Sequence, residues 1–489
     1  MKVKSIKINA ILNIVYTISN IIFPLITFPY VSRILLSDGV GKVSFFTSIS
    51  NYAVMFGSLG ISTYGIRAVA KVREKNKKLS ILTTELFVIN SFMTIIVICL
   101  LGLSCLIVNK FRTEPFLCLI NAFSIISAPL GLNWLYSGLE QYSYITKRTI
   151  LFKTISLIMV FLLVKEKEDY LLYAAITAFS TTGAYLCNFI YAKKFVTFCK
   201  YKELSFRAHF KPMLLLFASI LAVSIYTNLD MIMLGFISGD TEVGLYTVAV
   251  KVKSLLLTTV NALSAVLLPR LSFYLSEDNE KEYNRMLKKS ISIILMVSIP
   301  LAVYFTIEAY DSIVLLGGTD YTGAVLCMQI IMPILLISGL SNITGNQILI
   351  PHGWDSSFMI AVVAGALVDV ILNILLMPSF GCVGAAIATL LAELSQMTVQ
   401  VIFAKRYINK NVSLRTVKRY ILVSAISAIA VIMIRMVINI NALVNLMFTA
   451  SIYFGLYGGT LLFVKDEILM SLFNEVFGKI IKRVKLGKK

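Results

Sequence analysis

The feature that most limits what this chain can become is a succession of long apolar runs separated by short polar turns. Spanning the hydrocarbon core of a bilayer takes roughly 20 apolar residues in helical form. About fourteen runs reach or approach that length: 8–32, 43–66, 80–108, 115–138, 149–164, 170–192, 212–237, 243–268, 290–310, 324–350, 356–378, 382–404, 416–438 and 442–464. Only 14% of the residues are charged, whereas a soluble domain carries about a quarter. Lipid must therefore solvate most of the surface. In lipid every backbone N–H and C=O needs an internal partner, which leaves helices or a closed barrel, and runs this long exclude the barrel. The expected fold class is an all-α polytopic membrane protein of about fourteen spanning helices.

A net charge of +20 in a soluble chain would point to nucleic acid. Here the basic residues fall between apolar runs. With the N-terminus placed inside, most Lys and Arg lie on the cytoplasmic side: Lys71 to Lys78, Lys193 to Lys211, Lys281 to Lys289, Lys405 to Arg419 and the tail from Lys465. Arg33, Lys42, Lys110, Arg112, Lys165 and Lys167 fall outside. That asymmetry predicts both termini in the cytoplasm, and no nucleic-acid partner. Lys2, Lys4 and Lys7 precede the first run like a signal peptide. The run continues to about Val31 and no cleavage-like site follows, so it reads as the first spanning helix.

Seven cysteines without paired spacing predict neither a disulfide framework nor a zinc site. The two histidines, His209 and His352, fall in predicted loops without metal-like spacing. No phosphate-cradling glycine loop is present and no Ser-His-Asp or Cys-His set can be assembled. A non-enzymatic protein without cofactor is the expectation, with H+ or Na+ as a coupling ion. External loops are short, which disfavours a membrane polymerase or glycosyltransferase.

The chain also carries a weak internal repeat. Val40-Gly41-Lys42-Val43-Ser44 resembles Val243-Gly244-Leu245-Tyr246-Thr247 at an offset of 203, which also sets Arg67 on Arg270. Near an offset of 213, Gly138-Leu139-Glu140 falls beside Pro351-His352-Gly353-Trp354. Two six-helix halves of the same topology around a central cavity would follow, related by an axis along the membrane normal. The expected division is an N-terminal bundle (1–200), a C-terminal bundle (205–410), and two further helices with a basic tail (411–489).

After the fourth run the chain reads Asn133-Trp134-Leu135-Tyr136-Ser137-Gly138-Leu139-Glu140-Gln141-Tyr142. Three more stretches stand out: Thr227-Asn228-Leu229-Asp230 with Met233-Leu234-Gly235; Gly345-Asn346-Gln347-Ile348-Leu349-Ile350-Pro351; and Leu372-Asn373 with Pro378 and Gly381 to Thr389 up to Glu393. Together they resemble the polysaccharide-repeat-unit flippases, the polysaccharide transporter family of the multidrug/oligosaccharidyl-lipid/polysaccharide exporter superfamily. The turn His352-Gly353-Trp354-Asp355 departs from the Gly-Lys-Glu-like sequence expected there. The resemblance implies two bundles around a cleft, alternating access without ATP, and a polyprenyl-pyrophosphate-linked oligosaccharide as cargo, moved from the cytoplasmic to the outer face of a bacterial inner membrane for surface polysaccharide. Membrane lipid and other membrane proteins of polysaccharide assembly would be its partners. A peptidoglycan-precursor flippase and a cation-coupled drug exporter of the same superfamily are the rival readings.

Ionisable groups at membrane depth are costly and mark cavities or partners. Lys153, Lys251, Lys253, Arg67 and Arg270 are the candidate cavity cations for a pyrophosphate or acidic sugars. Asp230 is expected to neutralise Lys251 or Lys253. Asp369 and Glu393 are the acids a coupling ion would use. Pro24 and Pro29 interrupt the first helix's hydrogen bonds and are candidate gate hinges. Glu85 is expected to reach water, and Arg435 to anchor at the interface.

Overall fold

A computed structural model describes residues 6–199, 204–437 and 441–471. Lys2, Lys4, the end of the thirteenth run and the basic tail past residue 471 lie outside them. The described residues are helical and contain no strand. Contacts divide the chain into two compact units, the boundary falling between Thr247 and Val248.

The first unit contains α1 (Ile6–Ser58), α2 (Ile61–Val72), α3 (Asn76–Ile107), α4 (Asn109–Thr113), α5 (Pro115–Ser127), α6 (Asn133–Gly138), α7 (Tyr142–Leu163), α8 (Tyr170–Ala192) and α9 (Arg207–Ile237). The long helix α10 (Asp240–Ser276) carries the chain into the second unit. There follow α11 (Glu280–Ile307), α12 (Ala309–Leu316), α13 (Ala324–Ile331), α14 (Ile334–Asn342), α15 (Asp355–Asn411), α16 (Leu414–Val437) and α17 (Ala442–Phe463).

Among the described residues, ten helical stretches are long and apolar enough to cross a membrane. Many of their outward side chains are large and apolar, such as Phe92, Leu106, Leu215 and Leu375. Such faces suit acyl chains rather than water, and the chain is a multi-pass membrane protein. Two of the ten, Ile11–Ser58 and Asp355–Asn411, run 48 and 57 residues, well over the roughly 20 that one crossing needs. Each contains one non-helical residue: Leu36 at φ 57°, ψ −176°, and Gly381 at φ 51°, ψ −129°. Where the sequence suggests a turn over 33–42, the helix therefore breaks at a single position. The polar residues there are satisfied within the fold: Lys42 Nζ lies 3.6 Å from Asp38 and 2.8 Å from Glu114.

Other predicted runs are interrupted. The second ends at Ser58; Leu59 (φ 42°) and Gly60 (φ 80°) turn the backbone before α2 begins. Arg67 thus sits in a short amphipathic helix. The fourth run breaks into α5, a 3₁₀ turn at Ala128–Gly131 and α6, with Leu132 at φ 42° between them. The tenth splits at Pro333 into α13 and α14, then winds into a π-helix over Ile343–Leu349. Between α7 and α8, the Asp169 carboxylate accepts the N–H groups of Lys165 (2.7 Å) and Glu166 (2.9 Å). Those donors hold its carboxyl below the ordinary carboxylate range.

The sequence offset of 203 recurs in the backbone of the first unit. Leu36 and Gly239 both take positive φ. Gly41 lies against the carbonyl of Asp240, and its counterpart Gly244 lies against that of Ser37. A Cβ at either glycine would overlap that carbonyl. Equivalent residues thus make the same contact in both directions.

Candidate functional site

Helix α2 separates two concavities of the first unit. Its residues advance about 100° each, so three faces serve three purposes. Ile61, Gly65 and Val69 are buried, and Gly65 is pressed so close to Trp134 that a Cβ there would lie 2.8 Å from the indole ring. Tyr64, Arg67, Ala68 and Lys71 line a cleft of about 690 Å³, completed by Val72, Leu82 and, from α9, Lys211, Pro212, Leu215 and Leu216. Ser62 and Ile66 face a cavity of about 400 Å³.

The cleft is cationic: among the described residues Arg67, Lys71 and Lys211 line it and no carboxylate does. Glu85, the nearby acid of α3, is held back from it. Its Oε1 accepts the Ser205 N–H at 2.6 Å, and its Oε2 lies 2.8 Å from His209 Nε2. The other ring nitrogen, Nδ1, lies 2.8 Å from the Tyr64 hydroxyl. The expectations that Glu85 reaches water and that His209 lies in a loop both fail: each is buried, and His209 is in α9. Arg207 to Lys211 read as loop because they join a basic stretch, whereas α9 begins at Arg207.

Of the sequence-predicted cations, Arg67 lines this cleft. Lys153, half-buried on α7, donates to Asn20 Oδ1 of α1 at 2.6 Å. Lys251, Lys253 and the exposed Arg270 lie on α10 within the second unit. Asp230 is buried and accepts the Tyr246 hydroxyl at 2.6 Å, a partner not foreseen. The charge of Lys253 acts on Glu393. Asp369 is fully buried on the first limb of α15, and Glu393 is buried on the second, beyond the Gly381 break. Pro24 and Pro29 lie within helical backbone; the break in α1 is at Leu36.

Several polar groups take roles that the sequence reading did not give them. Arg435 is ion-paired with two acids, Glu308 Oε2 at 3.8 Å and Asp311 Oδ2 at 3.7 Å, rather than serving as an interface anchor. Gln347, on the π-helix, donates to Ser264 Oγ (2.7 Å), while its own Oε1 accepts from Ser290 (2.8 Å). π-Helical turns are frequent at functional sites. Arg148, one residue before the predicted fifth run, is 9% exposed. Its guanidinium donates to Asn133 Oδ1 (3.2 Å), Thr149 Oγ1 (3.1 Å) and Asn188 Oδ1. The signal was present, since a basic residue precedes an apolar run, but the same pattern describes any interface arginine.

Comparison with known proteins places this geometry. The family model described as "Polysaccharide biosynthesis protein" matches residues 6–275, and a MatE model matches residues 216–375. A protein of Escherichia coli strain K12 named "Putative O-antigen transporter" is 26% identical over 82% of this chain and 97% of its own length. Among solved structures, the lipid II flippase MurJ in an inward closed conformation has a TM-score of 0.74 at 16% identity, covering 96% of this chain and 99% of its own. An inward-facing multidrug resistance MATE transporter has a TM-score of 0.62 at 14% identity, covering 79% and 94%. The fold is thus of the MurJ and MATE kind, and the chain belongs to the polysaccharide biosynthesis protein family.

Proposed function

We propose that the protein is a flippase that moves a polyprenyl-pyrophosphate-linked oligosaccharide from the cytoplasmic to the outer face of a bacterial inner membrane, by alternating access, for surface polysaccharide. The carrying observation is the cleft of Arg67, Lys71 and Lys211, which has apolar walls from Leu215 and Leu216 and no lining acid among the described residues. A pyrophosphate needs cations with little water screening between them. The adjoining apolar side chains suit the lipid to which it is joined. The relatives' names support a transporter rather than an enzyme.

The same reading holds fourteen crossings, both termini cytoplasmic, and two six-helix repeats (1–200 and 205–410) with 411–489 appended. The reciprocal Gly41 and Gly244 contacts support the repeat. Lys153, Lys251, Lys253 and Arg270 are further cargo contacts in this mechanism. Asp230, Asp369 and Glu393 carry or balance a coupling H+ or Na+, and Pro24 and Pro29 flex the gate. Other membrane proteins of polysaccharide assembly supply and receive the cargo.

Depletion in the native host tests the reading. Surface polysaccharide should fall at least about tenfold while lipid-linked oligosaccharide accumulates facing the cytoplasm. The combined Arg67→Glu, Lys71→Glu and Lys211→Glu variant should insert normally and fail to restore export. A cell-wall defect with normal polysaccharide would assign the cargo to peptidoglycan synthesis instead. New sensitivity to cationic drugs alone would overturn the flippase.

A further inference from the structure

The second concavity beside α2 differs chemically from the cationic cleft. Its volume is about 400 Å³, within the roughly 300–1,000 Å³ of small-molecule sites. Among the described residues, no charged side chain lines it. Its polar surface consists of amides and hydroxyls, among them Asn51, Asn90 and Asn133, and its walls include the rings of Trp134 and Tyr185. Asn90 is only 7% exposed, and neither it nor Asn51 has a hydrogen-bond partner among the described residues. The Asn90 amide thus has a donor and an acceptor open to any group that supplies a partner. Because Asn90 lines the cavity, a molecule entering it can do so.

Asn133 is oriented from behind. A guanidinium can only donate, so the Asn133 atom facing Arg148 is its carbonyl oxygen. That oxygen also accepts from Asn188 Nδ2 at 3.1 Å. Asn188 is fixed likewise, since its own Oδ1 faces Arg148 and its Nδ2 also reaches the Gly131 carbonyl. With its oxygen occupied, Asn133 has its NH₂ group left to present to the cavity. Leu132, immediately before it, holds a left-handed backbone (φ 42°), a strain of the kind that clusters at binding sites. Arg148 has no carboxylate partner among the described residues, so its charge acts on neutral groups, the two asparagine amides and the Thr149 hydroxyl.

We propose that this cavity is a subsite for an uncharged sugar of the cargo, with the Trp134 and Tyr185 rings against the sugar's C–H face, Asn51, Asn90 and Asn133 on its hydroxyl or acetamido oxygens, and Arg148 as the positioning residue for Asn133. This rests on the flippase reading and names what part of the cargo is recognised apart from its pyrophosphate. The cavity and the cationic cleft share α2 and α9: Ser62 and Ile66 against Arg67 and Lys71, and Ile220 against Lys211. One cargo with a charged linkage and a neutral sugar matches two adjoining sites of these chemistries.

The chain has two tryptophans, Trp134 and Trp354, so Trp354→Phe leaves Trp134 as the sole indole reporter. Full-length Trp354→Phe protein in detergent is titrated with polyprenyl diphosphate that is sugar-free, or that carries an N-acetylhexosamine or a neutral hexose. Radiolabel gives the affinity and emission reports the cavity. A sugar-bearing lipid should bind about tenfold tighter and shift Trp134 emission, whereas the sugar-free lipid should bind without the shift. Asn90→Leu should abolish the tenfold preference and leave sugar-free binding unchanged. Arg148→Lys should reduce the preference alone, and should add nothing in an Asn133→Leu background, a non-additivity that general loss of packing does not produce. Equal affinity for all three lipids with unchanged emission would overturn the subsite while leaving the flippase standing. Failure of every lipid to bind would remove the flippase reading, and this inference with it.

Discussion

At the scale of single residues, the fold deals with buried charge in three ways. Glu85 is spent on a backbone N–H and a histidine. Arg148 is surrounded by neutral amides and a hydroxyl. Arg435 faces the two acids Glu308 and Asp311, of which Glu308 has no exposed surface. Removing one partner of a buried ion pair leaves the other's desolvation uncompensated, whereas removing the whole set can cost little. Arg435 is about a third exposed, so Arg435→Leu should destabilise by about 2 kcal/mol, between the exposed and buried limits. Adding Glu308→Leu and Asp311→Leu should recover most of that loss. Thermal unfolding of the purified protein in detergent measures both, and a triple variant less stable than the single one would refute the account. The sequence displays all three charges, but spacing along a chain cannot say which meet: Arg435 and Glu308 are joined only when α16 packs beside α11.

At the scale of helices, apolar length located the long helices, and the surprises are where helices stop and where short ones intervene. The limits of α8 coincide with the predicted run, 170–192. The turns over 33–42 and 379–381 shrink to single positive-φ positions, because side-chain pairs and close helix contacts satisfy residues that look like loop. The fourth and tenth runs gain breaks that hydropathy does not register. Pro129 and Pro333 contribute by lacking an N–H. Close approach at Gly41 and Gly244 makes an element-scale prediction. Gly41→Leu and Gly244→Leu should each destabilise by about 2–3 kcal/mol, as overpacking does. Their double variant should lose less than the sum, since one separation of the two segments relieves both overlaps. Strict additivity in thermal unfolding would count against the reciprocal contact.

At the scale of the whole molecule, the positive-inside asymmetry predicts a topology that labelling can check. Cysteine placed at Ser238, between α9 and α10, should react with a membrane-impermeant maleimide in intact cells. Cysteine at Glu74, between α2 and α3, should react only after permeabilisation; the reverse pattern would invert the orientation and the proposed direction of transport. The sequence by itself determined that the chain is helical, membrane-embedded and of this family, because bilayer thickness and backbone desolvation act on composition and length, which a sequence displays directly. It also singled out Arg67 and the Asn133-Trp134 segment. Only the tertiary structure decided that these flank one helix on different faces, that Lys71 and Lys211 join Arg67, and that Arg148 turns the Asn133 amide outward. Those relations depend on the azimuth at which α2 meets α6 and α9, which is fixed by close packing such as Gly65 against Trp134. Hydropathy carries no record of that angle.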